Sequence, residues 1–245
     1  MISSKHKALF GIYLLALHVF AAFLFNKTYT FQKVLIDLGL EQRPYVNSPT
    51  YKATLAHQLR RDGNTSPESI AFFGDSMIQG LNTSAIIDRS ENYGIGFDTT
   101  EGLLNRLSQY RSSQIANTII ICIGTNDLSI LTPEQIVSNI LKIIDITPET
   151  QNIYISGILP ISLERNQKLQ HQAPIKQTNQ LLNKALRHSL NTTFIPPPNE
   201  LLDKSGHLSS KHHIGDGLHL SSSGYDIWIN HLKDYLNIQP LKESL

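Results

Sequence analysis

Cysteine is almost missing from this chain: Cys122 is the single one among 245 residues. No internal disulfide can form, and no cysteine-based zinc site can be built. Cys122 stands in the apolar run 119–123, where a thiol behaves as a small buried hydrophobe. An excess of one charge is missing too. The net charge is +1, and Arg60-Arg61 is too short a basic stretch to make an electrostatic footprint for nucleic acid. Internal repeats and low-complexity tracts are absent, and Pro196-Pro197-Pro198 reads as a rigid loop. His207, His212, His213, Asp216 and His219 cluster in sequence, but H-E-x-x-H spacing is lacking, so no metal ligand is assigned.

Charge is also missing from 8–25, a run rich in Leu, Ala and Phe that comes after Lys5 and Lys7. As a helix it would be about 27 Å long, close to the hydrocarbon thickness of a bilayer. A cleavable signal has a shorter apolar core and a small-x-small cleavage site. Here Phe23, Leu24 and Phe25 come after Ala21-Ala22, so an uncleaved transmembrane anchor is favoured over a signal peptide, with secretion after cleavage as the alternative. The preceding lysines put the N-terminus in the cytoplasm and the remaining domain outside the cytoplasmic membrane, on the periplasmic side.

The rest of the chain divides into a stalk and lead-in helix over 27–68, a globular domain over 69–238 and a tail over 239–245. Ser48-Pro49 opens a helix through Leu55 and Leu59, closed by Asp62-Gly63-Asn64. Apolar strands at 70–73, 118–123, 152–157 and 193–195 alternate with helical patterns. Thr132-Pro133-Glu134-Gln135 is a capping box opening one of those helices. Continuous rather than alternating apolar strands, each followed by a helix, predict an α/β fold with a parallel sheet covered on both faces. Ligands of such sheets bind beyond the carboxyl ends of the strands, which is where Ser76 and Asn126 fall.

Near the beginning of the domain an apolar strand runs into Gly74-Asp75-Ser76, a tight turn ending on a hydroxyl. Near its end, Asp216-Gly217-Leu218-His219 places an acid three residues before an imidazole. Nucleophile, base and orienting acid are the set that attacks an ester carbonyl. Taken alone, Ser76 also suits a helix N-cap, Asp75 a structural acceptor in the turn, and Asp127 an N-cap or loop anchor.

These blocks, with Asn92 through Thr100 and Gly124-Thr125-Asn126-Asp127 between them, resemble in order the SGNH, or GDSL-type, hydrolase superfamily. The resemblance covers about 69–236. It implies a three-layer α/β/α sandwich of flavodoxin-like type, no cofactor, and an acyl-ester substrate. It also implies Ser76 as nucleophile, His219 as base and Asp216 as its orienting acid. The backbone N–H of Ser76, a backbone N–H of the second block and the Asn126 amide would form the oxyanion hole. The second block departs from the family, because Phe97 stands where a glycine directly precedes the Asp of G-D-T. Either Phe97 donates from an ordinary conformation, which is the favoured reading, or the loop shifts and Gly96 takes over.

The expectation is a membrane-anchored serine esterase cleaving a lipid or an O-acylated envelope glycan. Two alternatives stay open: an O-acyltransferase acting on an envelope polysaccharide, and a catalytically silent domain that uses the cleft to bind a ligand.

Overall fold

The computed structural model describes residues 4–26 and 48–237, so the expected stalk at 27–47 and the tail at 239–245 lie outside the described residues. The chain forms two compact units. The first contains α1 (Ser4–Asn26), whose described side chains from Leu9 to Ala22 are exposed. The expected span 8–25 falls on this helix, only part of which has described side chains. Among the described residues, no helix is long and apolar enough to cross a membrane.

The second unit begins with α2 (Pro49–Asp62), capped by Ser48, whose hydroxyl accepts the Tyr51 N–H. This lead-in helix is hydrogen-bonded into the domain. Gln58 donates to the Gly94 carbonyl at 2.8 Å, and Asp62 accepts from the Tyr93 hydroxyl at 2.8 Å.

The sheet has five strands: β1 (Ile70–Gly74), β2 (Ser90–Gly94), β3 (Thr118–Cys122), β4 (Asn152–Ser156) and β5 (Thr192–Ile195). They pair in the order β2-β1-β3-β4-β5, every pair parallel. β2 is the strand not expected from sequence. Its Ser90-Glu91-Asn92 start lacks an apolar run, because an edge strand has one neighbour and a half-open face.

Successive residues of the central strands point to opposite faces. Ala71, Phe73, Ile119, Ile121, Ile153 and Ile155 enter one core with α4 (Thr100–Leu107), α6 (Pro133–Asp145) and α8 (Gln172–Leu186). Phe72, Ile120 and Cys122 enter the other with α9 (Ser222–Tyr235), whose Trp228 is completely buried. The result is the expected three-layer α/β/α sandwich. Three short helices complete it: α3 (Ser76–Gln79), α5 (Ser112–Ile115) and α7 (Leu163–Leu169). The capping box forms as expected, with Thr132 and Gln135 exchanging side-chain and backbone bonds at the start of α6.

β1 continues to β2 on one side while β3 lies on its other side, so the strand order reverses at β1. In open parallel sheets ligands bind at such a reversal, beyond the carboxyl ends of the strands.

Candidate active site

Ser76 stands at that reversal, as the first residue of α3. The chain turns sharply because Gly74 has no side chain: a Cβ there would lie 2.1 Å from the Cys122 carbonyl oxygen. Asp75 caps α3 by accepting the Met77 N–H at 2.9 Å, the structural role expected for it. The N–H of Ser76 is among the first-turn donors that have no partner within the helix.

The His219 Nε2 lies 2.9 Å from the Ser76 Oγ, across 143 residues of sequence. The His219 Nδ1 lies 2.5 Å from the Asp216 Oδ2. A carboxylate accepts only, so this geometry puts the ring proton on Nδ1 and leaves Nε2 to accept from the serine hydroxyl. Asp216 Oδ1 accepts the N–H groups of Leu218 and His219, both at 3.0 Å. Partial burial raises the Asp216 carboxyl, but the hydrogen bonds from the His219 ring and these two N–H groups hold it below the usual carboxylate range.

The loop carrying this acid and base is built on two glycines and a second histidine. Gly217 adopts φ +73, and a Cβ on it would strike the Ser162 hydroxyl. Gly215 and Gly217 give their N–H groups to Nδ1 of His213, at 3.0 and 3.1 Å. That ring nitrogen must be unprotonated to accept both. His213 was legible only as a member of the histidine cluster; its spacing carried no signal for this role.

The loop after β2 corrects one expectation. Phe97 does not hold an ordinary conformation: its φ is +64, in the left-handed region. It occupies the third position of a turn closed by the Asp98 N–H on the Ile95 carbonyl, where a turn of this hand takes glycine. Left-handed backbone costs a residue with a Cβ about 1–2 kcal/mol. The loop has not shifted to Gly96, whose N–H is taken by the Gln79 Oε1 at 2.7 Å.

The residue after Phe97 belongs to a buried ion pair. Arg106 Nε donates to Asp98 Oδ2 at 2.8 Å, with both side chains removed from solvent. Nη1 donates to the Tyr110 hydroxyl, and Nη2 to the carbonyls of Gly74 and Tyr93, which end β1 and β2. Burial opposes the charge on Arg106, and Asp98 more than offsets it, so the guanidinium stays protonated. Asp98 accepts further from the Tyr51 hydroxyl and the Thr99 N–H. Sequence reasoning passed over Arg106, because an arginine within an amphipathic helix reads as a solvated charge.

Asn126 comes after β3, with its Nδ2 donating to the Asp98 carbonyl at 2.9 Å. One amide hydrogen fastens the third block to the second, and the amide carries a second hydrogen. Asp127 is the loop anchor expected of it, accepting the N–H and hydroxyl of Thr100 at the start of α4. Burial pushes its carboxyl up to about 6. Ser76, His219 and Asp216 are therefore in one hydrogen-bonded series, and Phe97 and Asn126 meet through Asp98.

The histidine cluster does not converge. His207 contacts Ser205 and Asn166, and His212 contacts Ser223. Among the described residues, no group of three His, Cys, Asp or Glu is placed to hold a metal ion.

Comparison with known proteins agrees with the fold and the motif blocks. Residues 72–227 match the profile of the GDSL-like Lipase/Acylhydrolase family. The chain is 27% identical over 186 residues to platelet-activating factor acetylhydrolase IB subunit alpha1 of Rattus norvegicus, covering 70% of this chain and 76% of that protein. A solved structure from Streptococcus pneumonia, proposed to be a platelet activating factor, superposes with a TM-score of 0.69 at 24% identity, over 85% of this chain and all of that one. An acetylxylan esterase from Geobacillus stearothermophilus shares the fold at 16% identity and a TM-score of 0.55, over 71% of this chain and 96% of that one. With the motif blocks, the sheet order and the profile match in agreement, this chain belongs to the GDSL-like lipase/acylhydrolase family.

Proposed function

We propose that the chain hydrolyses carboxylic esters through an acyl-serine intermediate. The observation that carries this reading is the unbroken series from Asp216 Oδ2 through the His219 ring to Ser76 Oγ. Ser76 Oγ attacks the ester carbonyl as His219 Nε2 takes its proton, and the carbonyl π electrons move onto oxygen. Asp216 stabilises the imidazolium that forms. Collapse of the tetrahedral intermediate expels the alcohol, which takes the proton from His219. Water repeats the sequence on the acyl-serine and releases the acid.

The oxyanion needs fixed donors, each contributing about 10²–10³ in rate. The N–H of Ser76, the N–H of Phe97 and the second hydrogen of the Asn126 amide fill that role in this reading. Gly96 is unsuited, since its N–H already serves Gln79.

A membrane anchor belongs to the same reading. It is supported by eighteen uncharged residues at 8–25 and by the exposure of Leu9, Phe10, Ile12, Leu15, Val19 and Phe20 on α1, each more than half open. Lys5 and Lys7 before that run support an extracytoplasmic side for the catalytic unit in this reading. Its substrate would then be an ester of the envelope, either a lipid or an acylated glycan.

A panel of acetyl, butyryl and long-chain aryl esters, run beside Ser76→Ala, tests the reaction. Free acid is the expected product, with none above background from Ser76→Ala. Adding a glycan acceptor leaves the acid yield unchanged if water is the sole acceptor. Acyl transfer to the glycan in place of acid release would overturn hydrolysis.

A further inference from the structure

Large apolar side chains exposed in the second unit are not scattered. Of seven among the described residues, only Ile146 and Leu190 lie at the amino ends of the strands. The other five are Phe97, Ile130, Leu163, Leu169 and Ile214, between 41% and 67% exposed, each on a segment beyond the carboxyl ends of the strands.

Those segments are fastened to one another in a ring around Ser76. Asn126 binds the Asp98 carbonyl, joining the loop of Phe97 to that of Ile130. Ser129 Oγ lies 3.3 Å from His171 Nε2, joining the loop of Ile130 to the residues just after α7. Ser162 donates its N–H to the Gly217 carbonyl, and Arg165 Nη1 donates to the Asp216 carbonyl, joining α7 to the loop of Ile214. His219 meets Ser76, and Gln79 of the same helix as Ser76 accepts the Gly96 N–H, which closes the ring on the loop of Phe97. α7 itself buries none of its side chains, and carries Leu163 and Leu169 at its two ends. Between them stand Arg165 and Lys168 against a single acid, Glu164.

We infer that this ring is the face by which the domain docks on a lipid bilayer containing anionic headgroups, taking its ester from that surface. The inference rests on the assignment of Ser76 as nucleophile, and it selects lipid over glycan. Apolar side chains surrounding the hydroxyl match an apolar phase that itself carries esters. A protein seated on the same ring would cover Ser76 and exclude substrate. The two cations of α7 lie among the leucines, where lipid phosphates would meet them. Apolar tips with basic neighbours are the pattern of a surface that enters the headgroup region without spanning it.

Tryptophan fluorescence tests this without any turnover. Trp228 is the only native indole and is fully buried, so it gives a constant background. The full-length protein is incorporated into vesicles of phosphatidylcholine and phosphatidylglycerol, with and without bromine on the phosphatidylcholine acyl chains. The indole introduced by Ile214→Trp or by Leu163→Trp is expected to lose about half its emission in the brominated vesicles. That introduced by Ile146→Trp, at the other end of the strands, should lose none. Equal emission with and without bromine at positions 163 and 214, or quenching at 146 as strong as theirs, overturns the inference. Hydrolysis of a water-soluble acetyl aryl ester is measured on the same samples. Its absence from the native protein would count against the hydrolase reading, while the docking face stands or falls on quenching alone.

Discussion

Arg106 of α4 and Asp98, the residue that follows Phe97, meet at 2.8 Å with both side chains buried. The same guanidinium holds the carbonyls of Gly74 and Tyr93, so one buried cation sets the ends of two strands and the turn between them and the nucleophile. Arg106→Met leaves Asp98 without its counter-ion and both carbonyls without their donor. Chemical denaturation should show a loss of about 3–5 kcal/mol. Arg106→Lys should recover little of it, because one ammonium cannot reproduce the spread of the guanidinium fork. A loss below about 1 kcal/mol would mean that the pair is not a structural support.

Phe97 carries a left-handed turn position that favours glycine. Phe97→Gly removes strain of about 1–2 kcal/mol but loosens the unfolded chain by a comparable amount, so stability should move by less than about 1 kcal/mol. Turnover of an acetyl ester should persist, and longer or branched acyl chains should become better substrates as the ring leaves the mouth. Complete loss of activity in a folded variant would contradict the backbone role assigned to this residue.

His213 tests the acid-base loop. In Asn, Oδ1 takes the place of the imidazole Nδ1, so His213→Asn should keep both glycine N–H groups and most of kcat. His213→Ala should lower kcat by about tenfold or more with little change in KM, since a small displacement of Asp216 and His219 acts on the chemical step. His213→Gln carries its oxygen one bond too far and should not rescue. Equal behaviour of the Asn and Ala variants would remove His213 from the account.

Asp75 gives the pH dependence. Burial pushes its carboxyl up to about 7, with Asp98 and Asp127 adding to the shift, and its Oδ2 is buried without a hydrogen-bond partner. A carboxyl that is raised on folding stays protonated longer in the folded state, so its contribution is fully present below the unfolded value and lost as pH rises through about 7. Asp75→Asn keeps the acceptor for the Met77 N–H and removes the titration. Between pH 5 and pH 8 its stability relative to the native protein should therefore rise by about 3 kcal/mol, the order expected when linkage runs over roughly two pH units. A difference independent of pH would mean that Asp75 is ionised throughout.

The parts of this molecule readable from sequence are those whose chemistry is local. Ile119 through Ile123 and the Thr132–Gln135 capping box announce a buried strand and a helix start within a few residues. Ser76, Asp216 and His219 were legible because their blocks are short and stand at element ends. β2 was not, since Ser90-Glu91-Asn92 is polar and becomes a strand only through its pairing with β1. The left-handed Phe97 could not be read either, because the preference of phenylalanine opposes it. Arg106 and His213 obey the same logic: each acts on carbonyls or N–H groups that only the folded chain brings to it.

The most direct measurement is the intact mass of the protein after exposure to a serine-reactive phosphonate. The account predicts one adduct per chain in the native protein and none in Ser76→Ala. A folded native protein that takes up no label, or a Ser76→Ala variant labelled to the same extent, would contradict it.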